Sequence, residues 1–187
     1  MRKLTLIILM LACFILVLNA QSSFQSKTIN WLETNHISPE GIVLIISALP
    51  IIELRGSIPV GMFLFHFSWY KAAWLSIVGN MIPIPLVMIL WSSFITALRK
   101  TGTGRKMTDW LFTRTKRKGK LIEKYKAAGL AIFVGIPLPG TGAWTGAFAA
   151  EIFGLRFWKS LFYIFLGVLM AAAAVTLLCE MGVIVLG

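Results

Sequence analysis

The sequence predicts an all-α integral membrane protein made of two inverted repeats, each a re-entrant helical hairpin followed by a transmembrane helix, behind an N-terminal signal or anchor segment. Three observations predict it. The 187 residues are 58% hydrophobic and only 13% charged, whereas ordinary soluble domains are about 25% charged. Two apolar stretches, residues 42–67 and 127–155, run for 26 and 29 residues and are broken at their centres by prolines. One straight span needs about 20 uninterrupted residues and two need about 40, so each stretch is too long for one and too short for two. Each is also followed by a further apolar run long enough to cross a bilayer, over 70–98 and 157–180.

The elements follow in order. Arg2 and Lys3 precede the apolar run 4–18, the layout of a secretory signal. Leu18-Asn-Ala20 before Gln21 carries a small residue at one of the two usual cleavage positions, so residues 1–20 read equally as a cleaved peptide or a signal anchor. Either way the start lies inside and residue 21 onward outside. Residues 21–41 are polar and form an extracytoplasmic segment with a short surface helix around 28–33. Ser38-Pro-Glu40 closes it as a helix start, with Ser as N-cap, Pro in the first helical position and Glu in the first turn.

Residues 42–98 form the first repeat. In the hairpin 42–67 a half-helix enters, breaks between Pro50 and Pro59, and returns to the same side; non-helical backbone at that depth must be satisfied by protein or a water-filled cavity. The span 70–98 contains Pro83 and Pro85, each lacking a backbone donor, and is expected to kink there. The segment 99–126 holds eleven Lys and Arg against Asp109 and Glu123. It reads as a cytoplasmic loop, solvated or lying on anionic lipid as amphipathic helices. Residues 127–187 form the second repeat, with hairpin 127–155 and span 157–180, whose Ala171–Ala174 run offers a thin face for helix packing.

A net charge of +11 and a pI near 10.1 raise the question of nucleic acid. Thirteen of the eighteen Lys and Arg fall between Arg99 and Lys159, around the loop joining two hydrophobic halves. That is the distribution of the positive-inside rule, and no nucleic-acid partner is expected. Cys13 and Cys179 lie far apart in apolar runs, and His36 and His66 make no ligand spacing, so neither a disulfide, a metal nor a cofactor is expected. Without a paired-carboxylate motif, nucleophile elbow or phosphate loop, the chain does not read as an enzyme.

The two halves correspond residue by residue. Lys71 and Lys159 each follow an aromatic pair, Trp69-Tyr70 and Phe157-Trp158. Each precedes a glycine by eight positions, Gly79 and Gly167, and Trp74 matches Phe162. A unit with one span reverses direction, so the second copy must be inverted.

The candidate site lies at the two breaks. Charge at bilayer depth costs about 2.5 to 3.5 kcal/mol per residue, yet Glu53 and Arg55 sit between Pro50 and Pro59. In an extended segment both would project to one side; on a helix they would face different ways. Glu53 can exchange a proton or neutralise a cation, and Arg55 can hold a carboxylate or phosphate; alternatively the pair is a structural clamp. The second break, Pro137-Leu-Pro139-Gly140-Thr141-Gly142-Ala-Trp144-Thr145-Gly146, is uncharged. Its glycines permit positive φ and close backbone approach, and Trp144 can stack on a flat cation or simply pack. His66 and Glu151 are the candidates for relaying protons to Glu53.

The runs Leu49-Pro-Ile-Ile-Glu-Leu-Arg-Gly-Ser-Ile-Pro59 and Pro137 to Gly146 resemble the small multidrug export family of prokaryotic membrane proteins, over roughly residues 30–187. The resemblance implies an exporter of the prokaryotic cell membrane and a distant relation to the DedA and VTT proteins, which have two inverted re-entrant hairpins and include lipid carriers. The second break lacks the Gly-Arg-Phe-x-Pro-x-x-Arg signature of those carriers. The expected function is therefore ion- or proton-coupled export of amphipathic small molecules. The alternatives are a DedA-like translocase of polyprenyl phosphate or phospholipid, with Arg55 on the head group, and a membrane scaffold or assembly factor. So short a chain also favours a homodimer.

Overall fold

The computed structural model describes residues 23–98, 100–102, 105–106, 108–109, 120–136 and 141–186, and every regular element among them is helical. The expected signal or anchor 1–20, half of the basic segment 99–126, and Pro137, Pro139 and Gly140 lie outside the described residues.

The first helix, α1, covers 23–34 and is longer than expected. It does not lie free on a surface. Its Ile29 and Leu32 are buried with Ile42, Ile46, Ile52 and Val60, and Gln25 Nε2 donates to the Gly56 carbonyl at 3.4 Å. The next helix, α2 (Pro39–Ala48), starts as the sequence predicts: Ser38 Oγ accepts from the Gly41 N–H at 3.2 Å, with Pro39 and Glu40 in the first turn. After the turn 49–52 comes α3 (Glu53–Pro59), which packs back on α2. Pro59 ends it, and a single π-helical turn, Val60–Leu64, continues the chain, a common adjustment where a proline withholds a donor.

The first long apolar run is two helices, α4 (Trp69–Met81) and α5 (Ile84–Leu98), parted at Ile82–Pro83. This is the break expected from Pro83 and Pro85. In the second half α6 (Lys120–Gly135) crosses the expected 126/127 boundary between basic segment and repeat without interruption. It is followed by α7 (Ala143–Ile152) and by α8 (Phe157–Leu186), an unbroken helix of 30 residues. Two stretches, Trp69–Leu98 and Phe157–Met181, are long and apolar enough to cross a membrane.

Packing joins the halves through their second helices. Within each half the first helix lies on the following long one, α2 on α4 and α6 on α8; between halves α3 packs on α8, and α7 on α5. The shared core runs through Leu54 and Ile58 of α3, Ile84 and Met88 of α5, Ala147 and Ala150 of α7, and Ile164 and Val168 of α8. Two glycines set the closest approaches. A β-carbon on Gly79 would run into the backbone of Leu44 in α2, and one on Gly167 would meet Ala131 and Val134 in α6. The chain leaves each second helix through a left-handed residue, His66 at φ 52° and Gly154 at φ 64°.

Candidate functional site

The two breaks meet. The turn 49–52 ends before the charged pair, so Glu53 and Arg55 lie on helix α3 rather than on an extended tip, and their side chains take separate partners. Glu53 has φ 51°, a left-handed conformation that costs a non-glycine residue about 1–2 kcal/mol. Its carboxylate accepts the backbone N–H of Trp144, in the first turn of α7, and presses on Gly142, where any β-carbon would overlap both carboxylate oxygens. Gly142 is the N-cap position of α7 and has no side chain to satisfy the helix's free donors. Glu53 supplies that cap from the other half of the chain. It also occupies the first turn of its own α3, so two helix N-termini, each with a partial positive charge, converge on one carboxylate. Only 6% of Glu53 is exposed.

Arg55 is half-buried and donates through Nη2 to Thr141 Oγ1 at 3.2 Å. Thr141 Oγ1 in turn donates to the Ile136 carbonyl at 2.7 Å, which holds the approach to α7 in place. Thr145 folds back on the same turn, its Oγ1 accepting from the Gly142 N–H at 2.8 Å and facing the Gly142 carbonyl at 3.1 Å. The Trp144 ring N–H reaches across to the Ala48 carbonyl at the end of α2, 3.2 Å away. Among the candidates, then, Glu53, Arg55, Thr141, Gly142, Trp144 and Thr145 come together.

The others stand apart. Pro50 is exposed in the turn, and Pro59 lies at the far end of α3 from Glu53. His66 is exposed beyond the π turn. Glu151 sits near the end of α7, about 13.5 Å along the helix from Gly142 at 1.5 Å per residue, where its Oε1 accepts from Ser92 Oγ at 3.2 Å. Neither His66 nor Glu151 adjoins Glu53, so direct proton relay from either does not fit. Of the two uses expected for the site glycines, the described ones serve close approach and not positive φ. Gly142 and Gly146 do not use positive φ, Gly154 being the described glycine that does. Their value is closeness, Gly142 to Glu53 and Gly146 to Val134.

Sequence reasoning passed over a buried polar seam beside the site. Ser57 Oγ of α3 donates to Ser76 Oγ of α4 at 2.7 Å, and Ser47 Oγ of α2 donates to the Ser76 carbonyl. Serine is common enough in transmembrane helices that no motif marks these three; only the helix pairing does. Two cavities flank the structure. One of about 480 Å³ lies between α4 and α8, walled by Trp69, Ile77, Ala172 and Leu177 with Thr176 and Glu180. Another of about 340 Å³ lies between α5 and α7, bordered by Met88, Ser92, Ala147 and Glu151.

A family model described as "Putative small multi-drug export protein" matches residues 53–174, well over half of the 187-residue chain. The match opens on Glu53, directly after the turn 49–52, and contains the second break. No curated protein and no solved structure matches the chain.

Proposed function

The chain belongs to the small multi-drug export family, a family of membrane proteins, and from that premise we propose that it is a proton- or ion-coupled exporter of amphipathic small molecules. In this reading α2–α3 and α6–α7 are re-entrant hairpins that dip into the cell membrane from opposite faces, and their tips form the gate. The observation that carries it is the Glu53 carboxylate, buried where the two tips touch and capping the helix of the opposite tip. Burial opposes a charge there and two helix ends support it, so binding or losing a proton alters the contact that closes the gate. A structural clamp needs no ionisable group at that depth.

The inverted repeat is supported by more than the order of elements. The offset of 88 residues that relates Lys71 to Lys159 and Gly79 to Gly167 also relates the left-handed His66 to Gly154. Both glycines do the same work, admitting the preceding half-helix against the span. The cavities at α4–α8 and α5–α7 suit the proposed cargo, with apolar walls for a lipophilic body and one carboxylate each, Glu180 and Glu151, for a positive charge.

The test is flux through purified protein in liposomes carrying a pH gradient. A lipophilic cation should be moved by the native chain, and Glu53→Gln should abolish that movement with folding unchanged. Movement of labelled polyprenyl phosphate instead would favour the translocase, with Arg55 as its anchor. No movement of either, with a silent Glu53→Gln, would leave the scaffold. Topology is separable: single cysteines at Asn35 and Ser68 should react with membrane-impermeant thiol reagents from outside, and those at Lys106 and Lys159 from the cytoplasm. Reaction of all four from one face would defeat the inverted arrangement.

A further inference from the structure

Helices α3 and α4 run antiparallel, and their facing residues keep one register. Gly61 stands against Ala72, a β-carbon on the glycine approaching that of Ala72 to 2.9 Å. One turn deeper Ser57 donates to Ser76. Helical periodicity from the Ser57–Ser76 pair puts Glu53 and Asn80, four residues further along each helix, at the next register position.

Asn80 is fully buried, and neither its Nδ2 nor its Oδ1 has a hydrogen-bond partner among the described residues. A carboxamide presents two donors and an acceptor, and leaving them all unmatched in an apolar interior is unfavourable. The backbone beside it is equally short of donors. Pro83 and Pro85 have no N–H, so the carbonyls of Gly79 and Met81 lack their α-helical partners. A metal cation would match Oδ1 and the carbonyls but not Nδ2, and an anion would match Nδ2 alone. A water molecule, which donates and accepts, suits all of them.

We propose that Asn80 binds water between α3 and α4, and that this water joins the Glu53 carboxyl to the Ser57 and Ser76 hydroxyls as the route by which protons reach Glu53. The step is a transfer without other bond changes. A hydronium ion in the seam gives one proton to the Glu53 carboxylate, leaving water and a neutral carboxyl, and the reverse step returns it. The route rests on the reading of Glu53 as the proton-exchanging group, whereas the water site does not. It also replaces the relays expected from His66 and Glu151, which lie elsewhere.

Two measurements on the full chain in lipid test the two parts. In the first, protein labelled with 15N-asparagine is studied by water-edited solid-state NMR, the Asn80 carboxamide being identified as the side-chain signal lost in Asn80→Leu. Magnetisation transfer from water to that signal is expected; its absence overturns the proposal whatever the flux. In the second, proton entry into liposomes holding a pH-sensitive dye is compared for the native chain, Asn80→Leu and Asn80→Ser. Asn80→Leu should slow entry by at least roughly tenfold, while Asn80→Ser, small enough to keep the water, should retain much of the native rate. Native entry in Asn80→Leu overturns the route. A hydrated Asn80 with proton entry but no cargo movement upholds water and route and removes the export reading instead.

Discussion

Laid over one another at the offset of 88 residues, the two halves share a frame and differ in what fills it. Gly79 and Gly167 admit the preceding helix in both, and His66 and Gly154 turn the chain in both. The buried polar positions of the first half have mostly apolar or smaller counterparts in the second: Ser47 against Gly135, Ser76 against Ile164, Asn80 against Val168, and Glu53 against Thr141. Ser57 alone keeps a hydroxyl, in Thr145. In the repeat proposed above, duplication supplies the scaffold, and divergence places the charge and the hydroxyl ladder on one side. The second half answers with backbone, through the N–H of Trp144 and the bare Cα of Gly142.

The comparison breaks most sharply at Gly142. Gly142→Ala places a methyl where the Glu53 carboxylate lies, so export should be lost and thermal stability should fall by about 1–3 kcal/mol, the usual range for overpacking. Adding Glu53→Asp, which withdraws the carboxylate by one methylene, should restore part of the stability. Unchanged melting of Gly142→Ala in detergent would show that the tips do not touch.

Next come the glycines of the frame. Gly79→Ala and Gly167→Ala should each destabilise by about 1–3 kcal/mol. Gly79→Ala should be the worse, because it meets backbone alone, whereas Gly167→Ala meets the Val134 side chain as well as a carbonyl. Thermal unfolding ranks them, and the opposite order would mean the two halves are not packed alike.

A smaller effect should come from transplanting the second half's residue into the first. Ser76→Ile removes the acceptor of Ser57 at a cost of about 1–3 kcal/mol for the stranded hydroxyl. The reverse change, Ile164→Ser, puts a hydroxyl into the hydrophobic core cluster. If the polar seam is what separates the halves in function, Ser76→Ile should slow proton entry and Ile164→Ser should not.

The smallest effect lies at the rim. Glu40 and Lys71 form an exposed ion pair at 2.7 Å, and the bond to Lys71 holds the Glu40 carboxyl below the usual carboxylate range. A lowered value means that its contribution is complete above about pH 4.3, the ordinary glutamate pKa, and is lost as the pH falls through the shifted one. Melting curves of Glu40→Gln and the native chain should therefore differ slightly at neutral pH and coincide in strong acid.

Much of this was legible in the sequence. Length against thickness located both breaks, charge located Glu53 and Arg55, and Ser38 with Pro39 marked a helix start where one begins. The contacts were not legible, because they depend on which faces meet across 80 or more residues. Nothing local says that Glu53 caps the helix beginning at Ala143, or that Gly142 is needed for nearness rather than for φ. Residues 28–33 read as a short surface helix because the polar content around them hides Ile29 and Leu32, two apolar side chains three apart that need a partner to be recognised. Asn80 went unnoticed for a related reason: one polar residue in an apolar helix acquires meaning only once its surroundings are known.

Trp144 has a mechanical consequence. Its amide is held by Glu53 at the head of α3 and its ring by the Ala48 carbonyl at the foot of α2, so one residue fastens both arms of the facing pair. Drawing the tips apart strains both fastenings together, and neither can yield alone without loading the other. Such a latch is expected to open in a single step. In the exporter proposed above that matters, because a closure without half-open states does not let the gradient drain between cycles.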